Sequence, residues 1–318
     1  MAEKLIEVKN LKKYFKTKRG MLHAVDDVDF HISKGQTLGL VGESGCGKST
    51  IGRVLLRLLE ATGGEVLLNG ENIFHYNKNK MRELRENMQI VFQDPFASLN
   101  PRMSVCEIIA EPLVINKKTG NKTQLHTMVS SLMETVGLAR RLENAYPHEL
   151  DGGRRQRIGI ARALALNPRF IVLDEPVSAL DVSIQAQILN LMDNLQKELG
   201  LTYLFISHDL GVIKHVSDNI AVMYLGKIVE LSGYASLFAD PRHPYTKALL
   251  SAIPVPDPDE RRERIILEGD VPSPINPQPG CRFYGRCYVR MDKCKDNTPD
   301  LKQISEGRFC ACHLVNGK

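Results

Sequence analysis

The sequence predicts an α/β protein in which a mostly parallel sheet carries helices on both faces. A short apolar strand, TLGLVG (37–42), runs into a glycine-rich loop and then into the helical pattern KSTIGRVLLRLLE. Strand and helix patterns alternate again later, as RFIVLDEP, SIQAQILNLMDNLQKEL and TYLFISHD. Such alternation is typical of parallel sheets whose faces are covered by helices.

The rest of the chain falls into three stretches. Residues 4–75 alternate strands and turns around one helix, in LIEV, AVDDVDFHI and EVLLNG. Residues 100–165 show helical spacing in SVCEIIAEPLVI, TQLHTMVSSLMETVGL and RIGIARALAL, which predicts a helical insertion. Beyond residue 235 a proline-rich stretch, a charge run and a cysteine cluster follow. We predict one domain at 1–245, with a helical subdomain at about 95–165, and a C-terminal extension at 246–318.

Composition narrows the class of protein. Of the 318 residues, 43% are hydrophobic and 25% charged, which excludes a disordered chain. The net charge of +5 fits an anionic ligand or a membrane surface and is too small to indicate nucleic acid binding. The start, MAEKLIEVKN, lacks an apolar signal core, and the sequence lacks the ~18 consecutive apolar residues of a membrane span. We expect a cytoplasmic location with reduced cysteines.

The loop at residues 42–50, GESGCGKST, fits the pattern G-x-x-x-x-G-K-[ST] between a strand and a helix. Backbone N–H groups of such a turn and the helix N-terminus attract phosphate oxygens. We expect Lys48 to reach the β- and γ-phosphates of a nucleotide, Ser49 to hold Mg²⁺, and Cys46 to serve as a small residue. The predicted nucleotide-binding residues of this loop are Gly42, Ser44, Gly45, Cys46, Gly47, Lys48, Ser49 and Thr50.

Polar residues at the ends of other strands are the candidate catalytic groups. FIVLDEP (170–176) ends a buried strand in two carboxylates, at the edge where α/β sheets bind ligands. Asp174 is predicted to hold Mg²⁺ and Glu175 to act as the general base that orients the attacking water. In FISHD, His208 is predicted to contact the γ-phosphate. In IVFQDP, Gln93 is predicted to reach the metal or the water.

Together these motifs resemble the ATPase subunits of ABC transporters over most of the chain. That family has a P-loop NTPase fold with an inserted helical subdomain. The resemblance rests on the phosphate loop, Gln93, the loop at Gly152 and Gly153, Asp174 and Glu175, the turn at 178–181, and His208. YPHEL, FQDPFASLNP, DEPVSALDVSIQAQILNL and the tail GCRF…RC…C…CH are similar to dipeptide/oligopeptide importers. LGLVGESGCGKST and QIVFQDPFASLNPRM resemble the second of the two paired ATPase subunits in such importers.

The resemblance implies a mechanism. Two ATPase subunits, paralogues or two copies, close head to tail around two ATP molecules, and the signature loop of each acts on the partner's ATP. Closure and hydrolysis drive two membrane permease subunits between inward- and outward-open states. A solute-binding protein is an indirect partner, and the ATPase lies peripherally on the cytoplasmic face. Asp181 corresponds to the D-loop. Phe15, or as second choice Tyr14, stacks on adenine. The signature loop comprises Asp151, Gly152, Gly153 and Arg154.

The C-terminal cysteines predict a second site. Loops of five, six and seventeen residues separate Cys281, Cys287, Cys294 and Cys312. This spacing differs from common zinc knuckles and ferredoxin patterns, so by itself it leaves open a soft-metal site or unligated thiols. The resemblance implies a [4Fe–4S] cluster on these four cysteines, with zinc as runner-up and Cys310 as an alternative to Cys312. We expect the cluster to pin an extension that has too little apolar content for a core of its own.

The signature loop, LDGGR, departs from the family's usual Leu-Ser-Gly-Gly-Gln. Asp151 replaces the serine, and Arg154 replaces the glutamine. A carboxylate facing a phosphate would slow that site, which predicts a transporter with one fast and one slow ATP site. The alternative is that Asp151 caps the following helix while Arg154 cancels its charge.

Two rival functions remain open. One is a soluble ABC ATPase that is not coupled to transport, and the other is an ATP-sensing regulator whose cysteine tail reads redox state. The intact Glu175 and His208 weigh against the regulator. The sequence also leaves the cargo open between dipeptides, oligopeptides, nickel complexes and opines.

Overall fold

The computed structural model describes residues 3–253 and 263–316. The strands are β1 (Lys4–Thr17), β2 (Gly20–Ser33), β3 (Thr37–Val41), β4 (Gly63–Leu68), β5 (Glu71–Asn72), β6 (Met88–Val91), β7 (Phe170–Asp174), β8 (Thr202–Ser207), β9 (Asn219–Tyr224), β10 (Lys227–Gly233), β11 (Lys302–Ser305) and β12 (Arg308–Cys310). The helices are α1 (Lys48–Leu55), α2 (Lys78–Asn87), α3 (Pro95–Ser98), α4 (Val105–Ile115), α5 (Lys122–Thr135), α6 (Gly152–Leu164), α7 (Val182–Leu199), α8 (Leu210–Val216), α9 (Tyr234–Ala239), α10 (Pro244–Ser251), α11 (Lys293–Asp296) and α12 (His313–Asn316).

The chain divides into two compact units. The first unit comprises Met1–His75 and Phe205–Lys318, and the second comprises Tyr76–Leu204. The division falls inside β8. The predicted boundary between residues 245 and 246, and the predicted subdomain at about 95–165, stay predictions.

The first unit contains an antiparallel sheet with the strand order β2-β1-β4-β5. Its main pair, β1 and β2, is a long hairpin in which Thr17 lies opposite Gly20. The strands predicted in LIEV and AVDDVDFHI therefore pair antiparallel, a direction that their apolar pattern does not predict. Only Lys18 and Arg19 separate the two strands, and two residues can close a hairpin but cannot span the crossover that parallel strands require.

Another sheet segment of the first unit has the order β11-β12-β10-β9-β3. Here β3 and β9 pair in parallel, as predicted for the central strands. All five residues of β3 are buried, which explains its continuous apolar run. The C-terminal extension joins this sheet antiparallel, because β12 pairs with β10 and places Cys310 opposite Glu230.

The second unit pairs β6 and β7 in parallel, and all five residues of β7 are buried. The helical patterns between residues 100 and 165 form α4, α5 and α6. A capping box begins α4, since Ser104 Oγ accepts from the Glu107 N–H at 3.3 Å and Glu107 Oε2 accepts from the Ser104 N–H at 2.7 Å. Among the described residues, no helix combines the length and apolar character that crossing a membrane requires.

Candidate functional site

The phosphate loop connects β3 to α1 in the first unit. Gly47 is the N-cap of α1 and has a φ of 111°, in the region that favours glycine. A Cβ atom there would lie 2.0 Å from the carbonyl oxygen of Ala24, so the position has no room for a side chain. Gly47 therefore adds no side chain at the N-terminus of α1, the helix end that attracts anions.

The side chain of Lys48 is hydrogen-bonded across the phosphate loop. Its side chain is buried, and Nζ donates to the carbonyl oxygens of Gly42 at 2.8 Å and Glu43 at 3.1 Å. The two hydrogen bonds hold the ammonium over the phosphate loop. Burial raises the pKa of the Cys46 thiol, although Lys48 acts in the opposite direction, so the thiol stays neutral, as a small filling residue would.

In the second unit, the two predicted carboxylates end β7. Asp174 is buried, and Glu175 follows it with a φ of 48°, in the left-handed region that is rare for residues other than glycine. Gln93 comes two residues after β6, the parallel neighbour of β7, and its Nε2 donates to Glu175 Oε2 at 2.8 Å. The structure thus brings together Gln93 and Glu175, which were predicted from separate motifs.

His208 follows β8 and belongs to the first unit. It is exposed and lies next to Asp209, the N-cap of α8, whose side chain accepts from the Gly211 N–H at 2.7 Å. The cap fixes the backbone on which His208 is carried. His208 is therefore placed at the end of a buried strand, as the sequence predicted.

The two candidate adenine-stacking residues, Tyr14 and Phe15, lie in different environments. The Tyr14 ring stacks on His23 at a centroid distance of 4.0 Å, and its hydroxyl donates to Asp26. Lys13 Nζ lies 4.7 Å from the centroid of the Phe15 ring. Successive residues of a strand face opposite ways, so Tyr14 anchors the strand while Phe15 faces the other side.

The signature loop adopts the capped alternative described above. Asp151 is the N-cap of α6, and its Oδ1 accepts from the Arg154 N–H at 2.8 Å. Its other oxygen, Oδ2, lies 3.4 Å from Nε of Arg154. Arg154 thus contacts both carboxylate oxygens of Asp151, one through its backbone N–H and the other through its side chain. A Cβ on Gly153 would lie 2.6 Å from Cγ2 of Ile184, which explains a glycine there.

The cysteine tail forms one cavity in the first unit. Four of its cysteines line this cavity together with the apolar residues Phe283, Val289, Met291 and Leu314; they are Cys281, Cys287, Cys294 and Cys312. Cys310 is buried elsewhere, in β12 opposite Glu230. Burial raises the pKa of Cys281 to about 11, while the Phe283 backbone N–H acts to lower it. Within residues 3–253 and 263–316, no group of three or more His, Cys, Asp and Glu side chains is placed to hold a metal ion.

Sequence reasoning missed four residues of this unit, Asp26, Glu43, Arg282 and Arg286. Arg286 donates to the carboxylate of Glu43, and Arg282 donates to that of Asp26. The partners are separated by 243 and 256 positions, so no local pattern could pair them. The signal available in the sequence was Glu43, an acidic residue inside the phosphate loop. A partly buried carboxylate at that place requires a neutralising partner.

Two family models match the chain. The model of the ABC transporter matches residues 25–178, and that of the oligopeptide/dipeptide transporter C-terminal region matches residues 229–294. In Bacillus subtilis (strain 168), the oligopeptide transport ATP-binding protein OppF is 61% identical over 314 residues, 98% of this chain and 97% of OppF. The chain belongs to the family of oligopeptide transport ATP-binding proteins. A second family member, the putative oligopeptide transport ATP-binding protein YkfD of the same strain, is 53% identical over 313 residues, 98% of this chain and 95% of YkfD.

Solved structures confirm the predicted ABC ATPase fold for this oligopeptide transport ATP-binding protein. A dimeric post-hydrolysis state of the ATP-binding cassette MJ0796, bound to ADP and Pi, is 27% identical with a TM-score of 0.66, covering 72% of this chain and 98% of that one. The protein cbiO1 from Clostridium perfringens, part of the ABC transporter complex cbiONQ, is 27% identical with a TM-score of 0.67, covering 75% and 92%. The chain is thus an ATPase of the ABC class, for which ATP and Mg²⁺ are expected.

Proposed function

We propose that this ATPase powers the uptake of dipeptides or oligopeptides through two membrane permease subunits, from a peripheral position on the cytoplasmic face of the membrane. The observation that carries the proposal is the near full-length match to OppF at 61% identity. The match of residues 229–294 to the oligopeptide/dipeptide transporter C-terminal region also favours transport over the soluble ATPase alternative. A solute-binding protein would deliver the peptide to the permeases.

The working form is a head-to-tail dimer with a paralogous subunit or a second copy. The dimeric state of MJ0796 supports this arrangement. Each ATP would then meet the phosphate loop of one chain and the signature loop of the other. Asp181, the proposed D-loop residue, caps α7 and accepts from the Ile184 N–H at 3.0 Å. That cap holds the turn before α7 in a fixed shape.

The proposed groups for hydrolysis come from separate motifs of the chain. In the first unit, Lys48 neutralises the β- and γ-phosphates, and His208 contacts the γ-phosphate. In the second unit, Glu175 accepts a proton from the attacking water while Gln93 holds its carboxylate in place. Phe15 stacks on adenine, and Tyr14 holds the strand beside it. The proposed Mg²⁺ ligands are Ser49, Asp174 and Gln93, whose hydroxyl, carboxylate and amide oxygens are of the kind that Mg²⁺ prefers. When bound, Mg²⁺ would neutralise phosphate charge.

The four cysteines of the tail are the proposed ligands of a [4Fe–4S] cluster, with zinc as runner-up. The donor set fits a soft metal, since four thiols line one mostly apolar cavity. Backbone N–H groups also face the sulfur atoms, from Phe283 to Cys281 and from Val289 to Cys287. Such N–H groups stabilise thiolates. When bound, the cluster would cross-link the extension.

The signature loop makes the two ATP sites of the dimer unequal. The site that uses the normal signature of a paralogous partner hydrolyses ATP, and the site that uses Asp151 and Arg154 of this chain is slow. The capped geometry supports a reduced rather than an abolished activity, because Arg154 offsets the charge of Asp151. Asp151 keeps its carboxylate engaged with its own helix instead of offering a hydroxyl to the γ-phosphate.

Uptake by the reconstituted transporter tests the proposed function. Permease subunits, this chain and its partner are placed in liposomes with ATP inside, and entry of a labelled oligopeptide is followed. Glu175→Gln is expected to abolish uptake, and Glu198→Gln, at an exposed position on α7, is expected to leave it unchanged. Undiminished uptake with Glu175→Gln would refute the catalytic assignment. Failure of the chain to co-purify with any permease would instead favour the soluble ATPase.

A further inference from the structure

The C-terminal extension reaches into the phosphate loop through one ion pair. Glu43 follows Gly42 in the loop, and both oxygens of its carboxylate accept from Nη1 of Arg286, at 2.8 and 3.1 Å. The side chains are 27% and 10% exposed, so water screens the pair only in part. Burial alone would lower the pKa of Arg286, but Glu43 and Tyr224 raise it, and the guanidinium stays charged. Arg286 directly precedes Cys287, one of the cysteines that line the cavity.

An aromatic cluster holds the backbone of the same loop residue. The Glu43 N–H donates to the hydroxyl of Tyr245 at 3.0 Å. Tyr245 is fully buried and contacts the rings of Tyr224 and Phe283 at centroid distances of 4.8 and 5.4 Å. Phe283 is itself buried and belongs to the extension, between Cys281 and Cys287. The extension therefore fixes both the carboxylate and, through Tyr245, the amide of Glu43.

A second arginine of the extension makes a parallel contact. Arg282, next to Cys281, pairs with Asp26, and their side chains are 8% and 14% exposed. Burial would raise the pKa of Asp26, but the Tyr14 hydroxyl and Arg282 hold it below its usual value. Tyr14 precedes the proposed adenine-stacking Phe15. The same segment thus buttresses the strand that carries the candidate adenine contact.

The charges of the Glu43–Arg286 pair bear on nucleotide binding. MgATP and MgADP are anions, and a carboxylate fixed inside a phosphate loop repels them unless a cation lies beside it. We propose that Arg286 of the C-terminal extension is a positioning residue of the nucleotide site, which offsets the charge of Glu43 so that the phosphate loop accepts the nucleotide. Arg282, paired with Asp26, supports the strand β1 that carries Tyr14 and Phe15. The inference rests on the proposed nucleotide-binding role of residues 42–50.

Nucleotide affinity of the purified full chain tests the charge effect. Isothermal titration with MgADP avoids turnover during the measurement. Arg286→Gln, which leaves Glu43 uncompensated, is expected to weaken binding about 3- to 5-fold, in the range of partly exposed charge pairs. Glu43→Gln, which leaves Arg286 in excess, is expected to bind more tightly than wild type. The double variant Glu43→Gln/Arg286→Gln is expected to return to within about twofold of wild type.

Two further variants and one reference measurement complete the design. Arg286→Lys keeps the charge and is expected to retain most of the affinity. Arg290→Gln removes an exposed arginine of the same segment, whose guanidinium lies over the Tyr284 ring, and is expected to bind like wild type. If Arg286→Gln does not fold, as judged by its melting temperature, Glu43→Gln alone decides: tighter binding than wild type supports the charge effect, and equal or weaker binding overturns it. Wild-type chain that fails to bind MgADP would refute the nucleotide site itself.

Two results would overturn the proposal. In the first, Arg286→Gln binds MgADP like wild type and like Arg290→Gln. In the second, Glu43→Gln weakens binding and the double variant stays as weak as Arg286→Gln. That pattern would make the pair a mechanical brace of the loop, with no role for its charges.

Discussion

Nε2 of Gln93 donates a hydrogen bond of 2.8 Å to Oε2 of Glu175. The bond joins a loop after β6 to the end of β7, two strands that pair in parallel. Glu175 also has a φ of 48°, a backbone conformation that costs free energy in residues other than glycine. A carboxylate held by a neighbouring amide on a strained backbone is oriented before substrate arrives, as a general base requires.

We expect Gln93 to act on catalysis through Glu175. Gln93→Ala should lower kcat of the assembled transporter about tenfold, because it removes the orientation of the Glu175 carboxylate and not the base itself. Glu175→Gln should lower kcat at least about 100-fold. The double variant should be no slower than Glu175→Gln, since the two residues act as one unit. Steady-state ATPase assays measure all three.

A second glutamine provides the control for this prediction. Gln89 lies on β6, and its side chain donates to the carbonyl of Arg85. Gln89→Ala should therefore leave kcat unchanged. Fully additive losses in the Gln93 and Glu175 double variant would show that the hydrogen bond has no part in catalysis.

Gly47→Ala should abolish nucleotide binding. The added Cβ would lie 2.0 Å from the Ala24 carbonyl oxygen, and the loop must move to relieve that clash. The matched control is Gly35→Ala, at a φ of 71° with nothing within 4 Å of the added atom. This control carries only the strain of the left-handed conformation, about 1 kcal/mol of stability. Titration with MgADP should separate the two variants, and equal affinities would mean that the clash does not shape the loop.

The sequence predicts features that depend on neighbouring residues better than contacts between residues far apart in the chain. The phosphate loop and the carboxylates at 174 and 175 are local motifs, whose spacing carries the chemistry. The strands β1 and β2 were recognised, but apolar alternation does not reveal the direction in which strands pair, so their antiparallel hairpin was not predicted. The pair Glu43–Arg286 spans 243 positions and depends on how the extension folds back. Periodicity holds no information on such contacts, because they follow from tertiary packing.

The charge of the signature loop should control the rate of the proposed slow site. Arg154→Gln leaves Asp151 without its guanidinium neighbour and should lower the ATPase rate of the complex. Asp151→Ser with Arg154→Gln keeps an N-cap, removes both charges, and should raise the rate up to about twofold by making the second site active. Arg140→Gln, which breaks an exposed pair with Glu134, is the control and should have no effect. An unchanged rate in the double variant would remove the asymmetry between the sites.

Stability should fall with acidity because of His243. This residue is buried, caps α10, and its Nδ1 accepts from the Tyr245 N–H at 3.1 Å. Burial lowers the pKa of His243 to about 3, against an ordinary value of 6.5. As the pH falls below 6.5, the unfolded chain binds a proton at this position and the folded chain does not. The free energy of unfolding therefore falls by up to about 1.4 kcal/mol per pH unit until the pH nears the folded pKa.

Urea unfolding at pH 7.5, 6.5 and 5.5, with the cysteines kept reduced, measures this slope. His243→Asn preserves an acceptor for the Tyr245 N–H and removes the titrating group. It should lower stability at every pH, because the smaller side chain leaves a cavity, but its stability should fall about 1 kcal/mol less than that of wild type between pH 6.5 and 5.5. His75→Asn, at an exposed position, should keep the wild-type slope. Equal slopes for His243→Asn and wild type would contradict this prediction. They would show that His243 binds a proton as readily in the folded chain as in the unfolded chain.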